Sequence, residues 1–223
     1  MPTAVVILGG PWSPGNEMRQ YLASVPRDVV IAADSGLDVA HEADIDVDWC
    51  IGDLDSVSSE GLARFEQGGV KVRRAPVDKT STDAELALGL ALEIGCQTVV
   101  CIGTMRGDVD HCLAQFGALV AAHGEGASVA ALFDDAHIEV VRDRWCCEVP
   151  EGETVSVLAW GGSALVSLSG FHWNLDHHEL AAMCGTGLRN RSLGACRVQV
   201  HRGVVLVIRP HVLSTSITSG DSL

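Results

Sequence analysis

The chain has 223 residues, enough for one large domain or two modest ones. It carries 29 Asp and Glu against 15 Lys and Arg, a formal net charge of -14. That balance excludes a general binder of nucleic acid or anionic membrane, because phosphate backbones demand clustered cations. A nucleotide is not excluded, since a metal ion can neutralise a few phosphates locally.

Hydrophobic residues make up 47% and aromatics 4%, so the core must be aliphatic. Eight cysteines stand at positions 50, 96, 101, 112, 146, 147, 184 and 196, with no Cys-x-x-Cys pair. Cys50, Cys101 and Cys112, in apolar runs, read as small hydrophobes in a reducing cytosol, the vicinal Cys146-Cys147 reads as structural, and a cytoplasmic location is expected. Met1-Pro2-Thr3-Ala4-Val5 lacks a basic segment before its short apolar run, so no signal peptide is expected. No run is long enough to span a membrane as a helix.

In chain order, Ala4–Leu8 reads as a strand ending in Gly9-Gly10, and Val29–Ala33 as one ending in Asp34-Ser35-Gly36. Trp49–Ile51 ends in Gly52-Asp53, Val70–Arg73 leads to Pro76, and Thr98–Ile102 ends in Gly103. Helices are predicted between them near 15–24, 36–43, 58–67, 82–94 and 110–122. Alternation of this kind predicts an α/β fold with a mostly parallel sheet and helices on both faces. Ligands then bind beyond the carboxyl ends of the strands, where the Gly/Asp/Ser clusters fall.

After about residue 134 short β-like runs take over: His137–Val141, Thr154–Leu158, Ala164–Leu168, Cys196–Val200 and Val204–Ile208. They predict an antiparallel β-sheet or sandwich domain over 134–223, following an α/β domain over 1–133. Val129–Phe133 could close the first sheet or begin the second. The Ser/Thr/Gly-rich tail from Ser214 is expected to fray.

The chemistry concentrates in Gly52-Asp53-Leu54-Asp55-Ser56. The two carboxylates would point the same way along a continuing strand, or flank one turn if the strand ends. Gly52 lets the backbone come close to a ligand. Mg²⁺ is usually shared between one or two carboxylates and substrate phosphates. A plain surface turn has the same composition. Asp34-Ser35-Gly36 opens a helix, where it can cap or contact an anion. Thr82 with Glu85 fits a capping box, and Asp83 suits the first turn of the same helix. Lys79, just before it, is placed to meet phosphate. Asp110 and His111 open another helix as cap and first-turn side chain or as ligand contacts, with Arg106 nearby. No Walker-type loop and no Gly-x-Gly-x-x-Gly after the first strand occurs. Acids on at least four strand-end loops point to metal-assisted phosphoryl chemistry.

The chain resembles the thiamine pyrophosphokinase (thiamine diphosphokinase) family. Ala33-Asp34-Ser35-Gly36 resembles the family's Ala-Asp-Gly-Gly block, and Gly52-Asp53-Leu54-Asp55-Ser56 matches Gly-Asp-x-Asp-Ser. Lys79-Thr80-Ser81-Thr82-Asp83 resembles Lys-Asp-x-Thr-Asp, and Gly107-Asp108-Val109-Asp110-His111 resembles Gly-Arg-x-Asp-His. Gly170-Phe171-His172-Trp173-Asn174-Leu175 resembles Gly-Leu-Lys-Trp-x-Leu, and Arg189-Asn190 stands where the family usually has Ser-Asn.

The resemblance implies transfer of a pyrophosphoryl group from ATP to the thiamine hydroxyl, with AMP leaving and Mg²⁺ required. It implies an N-terminal α/β domain, a C-terminal β-sandwich domain, and a homodimer in which thiamine lies between domains of different subunits. Asp34, Asp53, Asp55 and Asp83 would hold Mg²⁺, the last three being the catalytic acids. Ser35, Ser56, Lys79, Thr82, Arg106, Asp110 and His111 would bind ATP. Trp173, Arg189 and Asn190 would line the thiamine pocket, with the Trp face attracting the cation. Three positions depart from the pattern: Thr80 replaces Asp, Asp108 replaces Arg, and Arg189 replaces Ser. They leave open a related pyrophosphokinase for another heterocyclic alcohol, such as a hydroxymethylpterin, or a catalytically weak nucleotide- or thiamine-binding protein.

Overall fold

Each aliphatic run of the first half becomes a strand. The computed structural model describes residues 1–213 apart from 56, 60, 62, 64–67 and 77–79. The chain divides into two compact units, Met1–Asp135 together with Leu213, and Ala136–Val212.

In the first unit, β1 (Thr3–Leu8), β2 (Val29–Ala33), β3 (Trp49–Gly52), β4 (Lys71–Arg74), β5 (Thr98–Gly103) and β6 (Ser128–Phe133) are all parallel. Their order is β6-β5-β1-β2-β3-β4. The central strands β1 and β2 are almost wholly buried, which is why they read as unbroken Val/Ile/Ala runs rather than alternating ones. Val129–Phe133 therefore closes the first sheet: it pairs in parallel with β5.

Four helices lie between these strands among the described residues: α1 (Asn16–Ser24), α2 (Gly36–Glu42), α3 (Asp83–Glu93) and α4 (Val109–Gly124). The helix expected over 58–67 falls largely outside the described residues. The expected capping box is formed. Thr82 Oγ1 accepts from Glu85 N at 3.2 Å, and Glu85 Oε2 accepts from Thr82 N at 2.7 Å. Because β2 and β6 lie on opposite sides of the β1–β5 pair, the connections that follow β1 and β5 leave in opposite directions. A crevice at the carboxyl ends of the strands follows from that reversal.

The second unit is antiparallel. Its strands are β7 (Ala136–Val141), β8 (Arg144–Val149), β9 (Thr154–Ala159), β10 (Ala164–Phe171), β11 (Leu175–Leu180), β12 (Asn190–Arg202) and β13 (Val205–Arg209). β13 pairs with β7 and β9, and β10 lies between β11 and β12. The 13-residue β12 pairs with β9 at Asn190 and Arg191 and with β8 from Gly194 to Gln199. The run Cys196–Val200 is only the middle of that strand. Val157, Val166, Leu168, Phe171, Val198 and Val205 belong to one aliphatic core fed by both groups of strands. β8 and β11 are not among the strands expected from the apolar runs. The Ser214 tail lies outside the described residues.

Candidate active site

The site is built on backbone that only certain residues tolerate. β3 ends at Gly52, whose φ of +152° is open to glycine. A Cβ there would stand 3.0 Å from Asp34 Cβ and 3.1 Å from Asp83 Oδ1. The missing side chain is what allows acids from the β2 end and the α3 start to meet above β3. The next turn passes through Leu54 at φ +65°, a left-handed conformation costly for a non-glycine residue. Leu54 is buried, and Asp53 and Asp55 flank it on the cavity wall. Asp34 is also left-handed, at φ +48°, and its N–H donates to Ile51 O at 2.9 Å. Of the two arrangements open to the Asp-x-Asp pair, the strained turn is the one formed.

Ligand oxygens of Asp34, Asp53 and Asp55 lie within 4.8 Å of one another. Asp34 is buried, Asp53 half-buried and Asp55 exposed, so the cluster grades from the interior to water. Its field reaches Cys50 beneath it. Burial first, and then the charges of Asp34, Asp38 and Asp83 against an opposing Arg74, push that thiol up to about 12.

The acids line a cavity of about 780 Å³, within the range of small-molecule sites. Leu8 to Pro11 and Thr104 line it at the ends of β1 and β5. Ser35, Thr82, Asp83 and His111 line it too, with Thr80, Asp108, Cys112 and Gln115. Close packing shapes this end of the sheet. A Cβ on Gly36 would come 2.1 Å from Ile7 O, and one on Gly9 would come 2.2 Å from Ser35 Oγ.

Several expected residues stand elsewhere. Arg106 does not line the cavity: its Nε pairs with Asp134 Oδ1 at 3.3 Å. Asp134 also accepts from Thr104 Oγ1 at 2.8 Å and from Met105 N at 3.0 Å, fixing the loop after β5. Asp110 is not in the lining either. Asp108 is the residue at the N-cap of α4, without a side-chain cap bond, and Asp110 Oδ1 accepts from His111 N at 2.9 Å. Ser56 and Lys79 lie outside the described residues. Thr104, Cys112 and Gln115 were not expected. Cys112 and Gln115 could have been found from their spacing, since they follow Asp108 by four and seven positions on one helical face.

In the second unit, Trp173, Leu175, Thr186, Gly187, Leu188 and Asn190 line a cavity of about 330 Å³. Asn190 is buried and holds both sides of the Trp173 backbone. Its Oδ1 accepts from Trp173 N at 3.1 Å and its Nδ2 donates to Trp173 O at 2.7 Å. The indole is 58% exposed, so its surface is open to a ligand. The His172 ring meets the indole edge-on at 4.7 Å. Arg189 does not line this cavity; its left-handed backbone at φ +52° carries its N–H to Ser156 Oγ at 3.0 Å.

A parallel α/β sheet with converging carboxylates and helix starts at its carboxyl end defines a nucleotide-dependent phosphoryl-transfer protein. The family model described as "Thiamin pyrophosphokinase, catalytic domain" matches residues 20–131, and the chain belongs to that family. It carries the catalytic domain of a thiamine diphosphokinase, an activity for which ATP is the co-substrate.

The fold is similar to the crystal structure of thiamine pyrophosphokinase from Bacillus subtilis, at 21% identity and TM-score 0.81 over 93% of this chain and 98% of that one. It is also similar to thiamin pyrophosphokinase from Geobacillus thermodenitrificans, at 21% identity and TM-score 0.76 over 94% and 97% of the two chains. The yeast enzyme matches at 14% identity and TM-score 0.74 over 95% and 87%. No curated protein matches the sequence at a significant level. No helix among the described residues is long and apolar enough to cross a membrane.

Proposed function

We propose that the chain transfers the pyrophosphoryl group of ATP to the hydroxyl of thiamine through the acids of the first unit. The carrying observation is that ligand oxygens of Asp34, Asp53 and Asp55 lie within 4.8 Å of one another on the wall of the cavity. That donor set suits a hard cation, and these three residues would hold Mg²⁺ with Asp83 beside Asp34. Bound there, Mg²⁺ would offset phosphate charge as it builds on the leaving AMP.

The thiamine hydroxyl oxygen attacks the β-phosphorus of ATP. The bond from that phosphorus to the α–β bridging oxygen breaks, AMP leaves with the oxygen, and the hydroxyl proton passes to an acid of the cluster. Little covalent work is asked of the protein; alignment and charge placement dominate. Ser35, Thr82 and His111 are the ATP contacts this reading places in the cavity. Trp173 and Asn190 serve thiamine, the indole face drawing the cationic ring and Asn190 setting its loop. The second unit, with strands from two groups around one core, is on this reading the thiamine-binding β-sandwich domain, and the first the catalytic domain.

A homodimer belongs to the same reading. Val109 and Leu113, four apart on α4, are 75% and 49% exposed, and Met105 just before them is 40% exposed. On the second unit Met183, Leu188 and Leu193 are exposed, and Leu188 lines the cavity with Trp173. A second copy covering both apolar surfaces would complete each site. Light scattering that finds a monomer at assay concentration would remove the dimer.

The testing experiment is AMP release from ATP and Mg²⁺ with and without thiamine, with fluorescent detection of thiamine diphosphate. Thiamine-dependent formation of both products is expected. Folded, ATP-binding protein that forms neither would overturn the proposal and favour another heterocyclic alcohol or a binding role.

A further inference from the structure

One polar group in the large cavity has no task in the reaction above. Gln115 lies on α4, four residues after His111 and seven after Asp108, so all three share the face that lines the cavity. Its Oε1 is shielded from water and has no hydrogen-bond partner among the described residues. Buried amide oxygens in folded proteins are nearly always paired, so an orphan on a residue that lines a binding cavity calls for a partner. Leu8, Pro11 and Cys112 line the same cavity and offer apolar contact to a flat ring.

We propose that the Gln115 carboxamide pairs with the amino-substituted edge of a substrate heterocycle. This rests on the function proposed above. A carboxamide carries an acceptor and a donor side by side. An aromatic amine next to a ring nitrogen carries the complementary pair, the match by which Gln and Asn recognise adenine. In this pairing the amide oxygen accepts from the amine and the Nε2 donates to the ring nitrogen. Both substrates have this edge, adenine in ATP and the aminopyrimidine in thiamine. A 6-oxo purine puts an acceptor where the amine stood and confronts the amide oxygen. Gln115 thereby sets specificity and takes no part in bond making.

The test compares the unmodified protein with Gln115→Leu and Gln115→Glu. KM and kcat are measured for ATP against GTP, and for thiamine against the analogue bearing oxygen in place of its pyrimidine amine. Loss of a paired, buried amide raises the relevant KM about tenfold and shrinks the matching preference by a similar factor, with kcat nearly unchanged. A change confined to ATP and GTP assigns Gln115 to adenine. A change confined to thiamine and its analogue assigns it to the aminopyrimidine. Gln115→Glu keeps the acceptor and loses the donor, so a smaller shift in the same substrate is expected, and this variant carries the test if Gln115→Leu does not fold. Both KM values and both preferences unchanged in a folded variant would overturn the proposal. Should the unmodified protein form no thiamine diphosphate, the function proposal fails separately, and calorimetric binding of ATP against GTP to the same proteins still decides whether Gln115 reads adenine.

Discussion

Asn190→Ala separates binding of thiamine from binding of ATP. Asn190 is 3% exposed, and its side chain makes three short contacts. Two hold Trp173 N and O, at 3.1 and 2.7 Å, and the third accepts from Arg191 N at 3.0 Å. At about 1 kcal/mol net for each bond, alanine costs about 3 kcal/mol of stability. That corresponds to a fall of roughly 10 °C in Tm for a chain of this size. The consequence for function lies in the Trp173 loop, which loses both backbone anchors. If the indole supplies about 0.5–2 kcal/mol to a bound cation, KM for thiamine rises roughly 3- to 30-fold. KM for ATP stays where it was, because Asn190 lines the other cavity. Asn190→Asp keeps the acceptor and loses the donor to Trp173 O, so it should fall between. The assays are a thermal melt and steady-state kinetics with each substrate varied in turn. A normal thiamine KM in a folded but destabilised Asn190→Ala protein would refute the reasoning, leaving Asn190 as a loop staple with no bearing on the substrate.

Three further outcomes follow from the first unit. Asp53→Asn removes one of three converging carboxylates, and AMP release with thiamine should fall roughly 10²- to 10³-fold with far-ultraviolet circular dichroism unchanged; a loss below tenfold counts against the metal site. Gly52→Ala places a Cβ 3.0 Å from Asp34 Cβ at a φ of +152°, so urea titration should show a loss of about 2 kcal/mol together with activity. Cys101 and Cys50 are held up to about 12, chiefly by burial, so neither supplies thiolate at pH 8; a thiol reagent should label exposed Cys146 and Cys184 first and reach those two only in denaturant. The sign for stability is fixed by the same shift. The folded state keeps these protons longer than the unfolded chain, so their contribution is full below pH 9 and is lost between about pH 9 and 12.

What the sequence made legible tracks what burial does to composition. β1, β2 and β5 are buried on both faces and read as aliphatic runs whose bounds are correct to about one residue. β11 could not be read this way. Leu-Asp-His-His-Glu-Leu is exposed at its four middle positions, and its strand character comes from pairing with β10. β8 places Trp145 and Val149 inside but spaces them with Arg, Cys and Glu, which blurs the alternation. In the site, Asp34, Asp53, Asp55 and Asp83 were legible because each lies in a short strand-end block. Asp134 was not, because its partner Thr104 is 30 residues earlier and only the parallel β5–β6 pairing brings them together. The same tertiary pair draws Arg106 away from the cavity, which no local pattern announces.

Asp108 is the departure whose consequence the cavity makes testable. Five carboxylates line that cavity, from Asp34, Asp53, Asp55, Asp83 and Asp108, and no Lys or Arg does among the described residues. Three of them, Asp34, Asp53 and Asp55, form the cluster that suits a cation, and Asp83 lies beside Asp34 across Gly52. Asp108 stands apart, at the start of α4, where the family pattern has Arg. Asp108→Arg should therefore strengthen binding of Mg²⁺ and ATP together. Asp108 is exposed, so screening holds the gain to about 1 kcal/mol, a three- to tenfold lower KM for ATP at low salt. The substitution loses a favourable charge at a helix start, but Asp108 makes no side-chain cap bond, so the stability cost is about 0.5 kcal/mol. Salt supplies the control. The Debye length shrinks from about 10 Å at 0.1 M to about 3 Å at 1 M, so the gain should fade at high ionic strength. An unchanged or higher KM at low salt would mean that the phosphates lie away from the start of α4, and that the charge at this position was replaced without cost to the nucleotide.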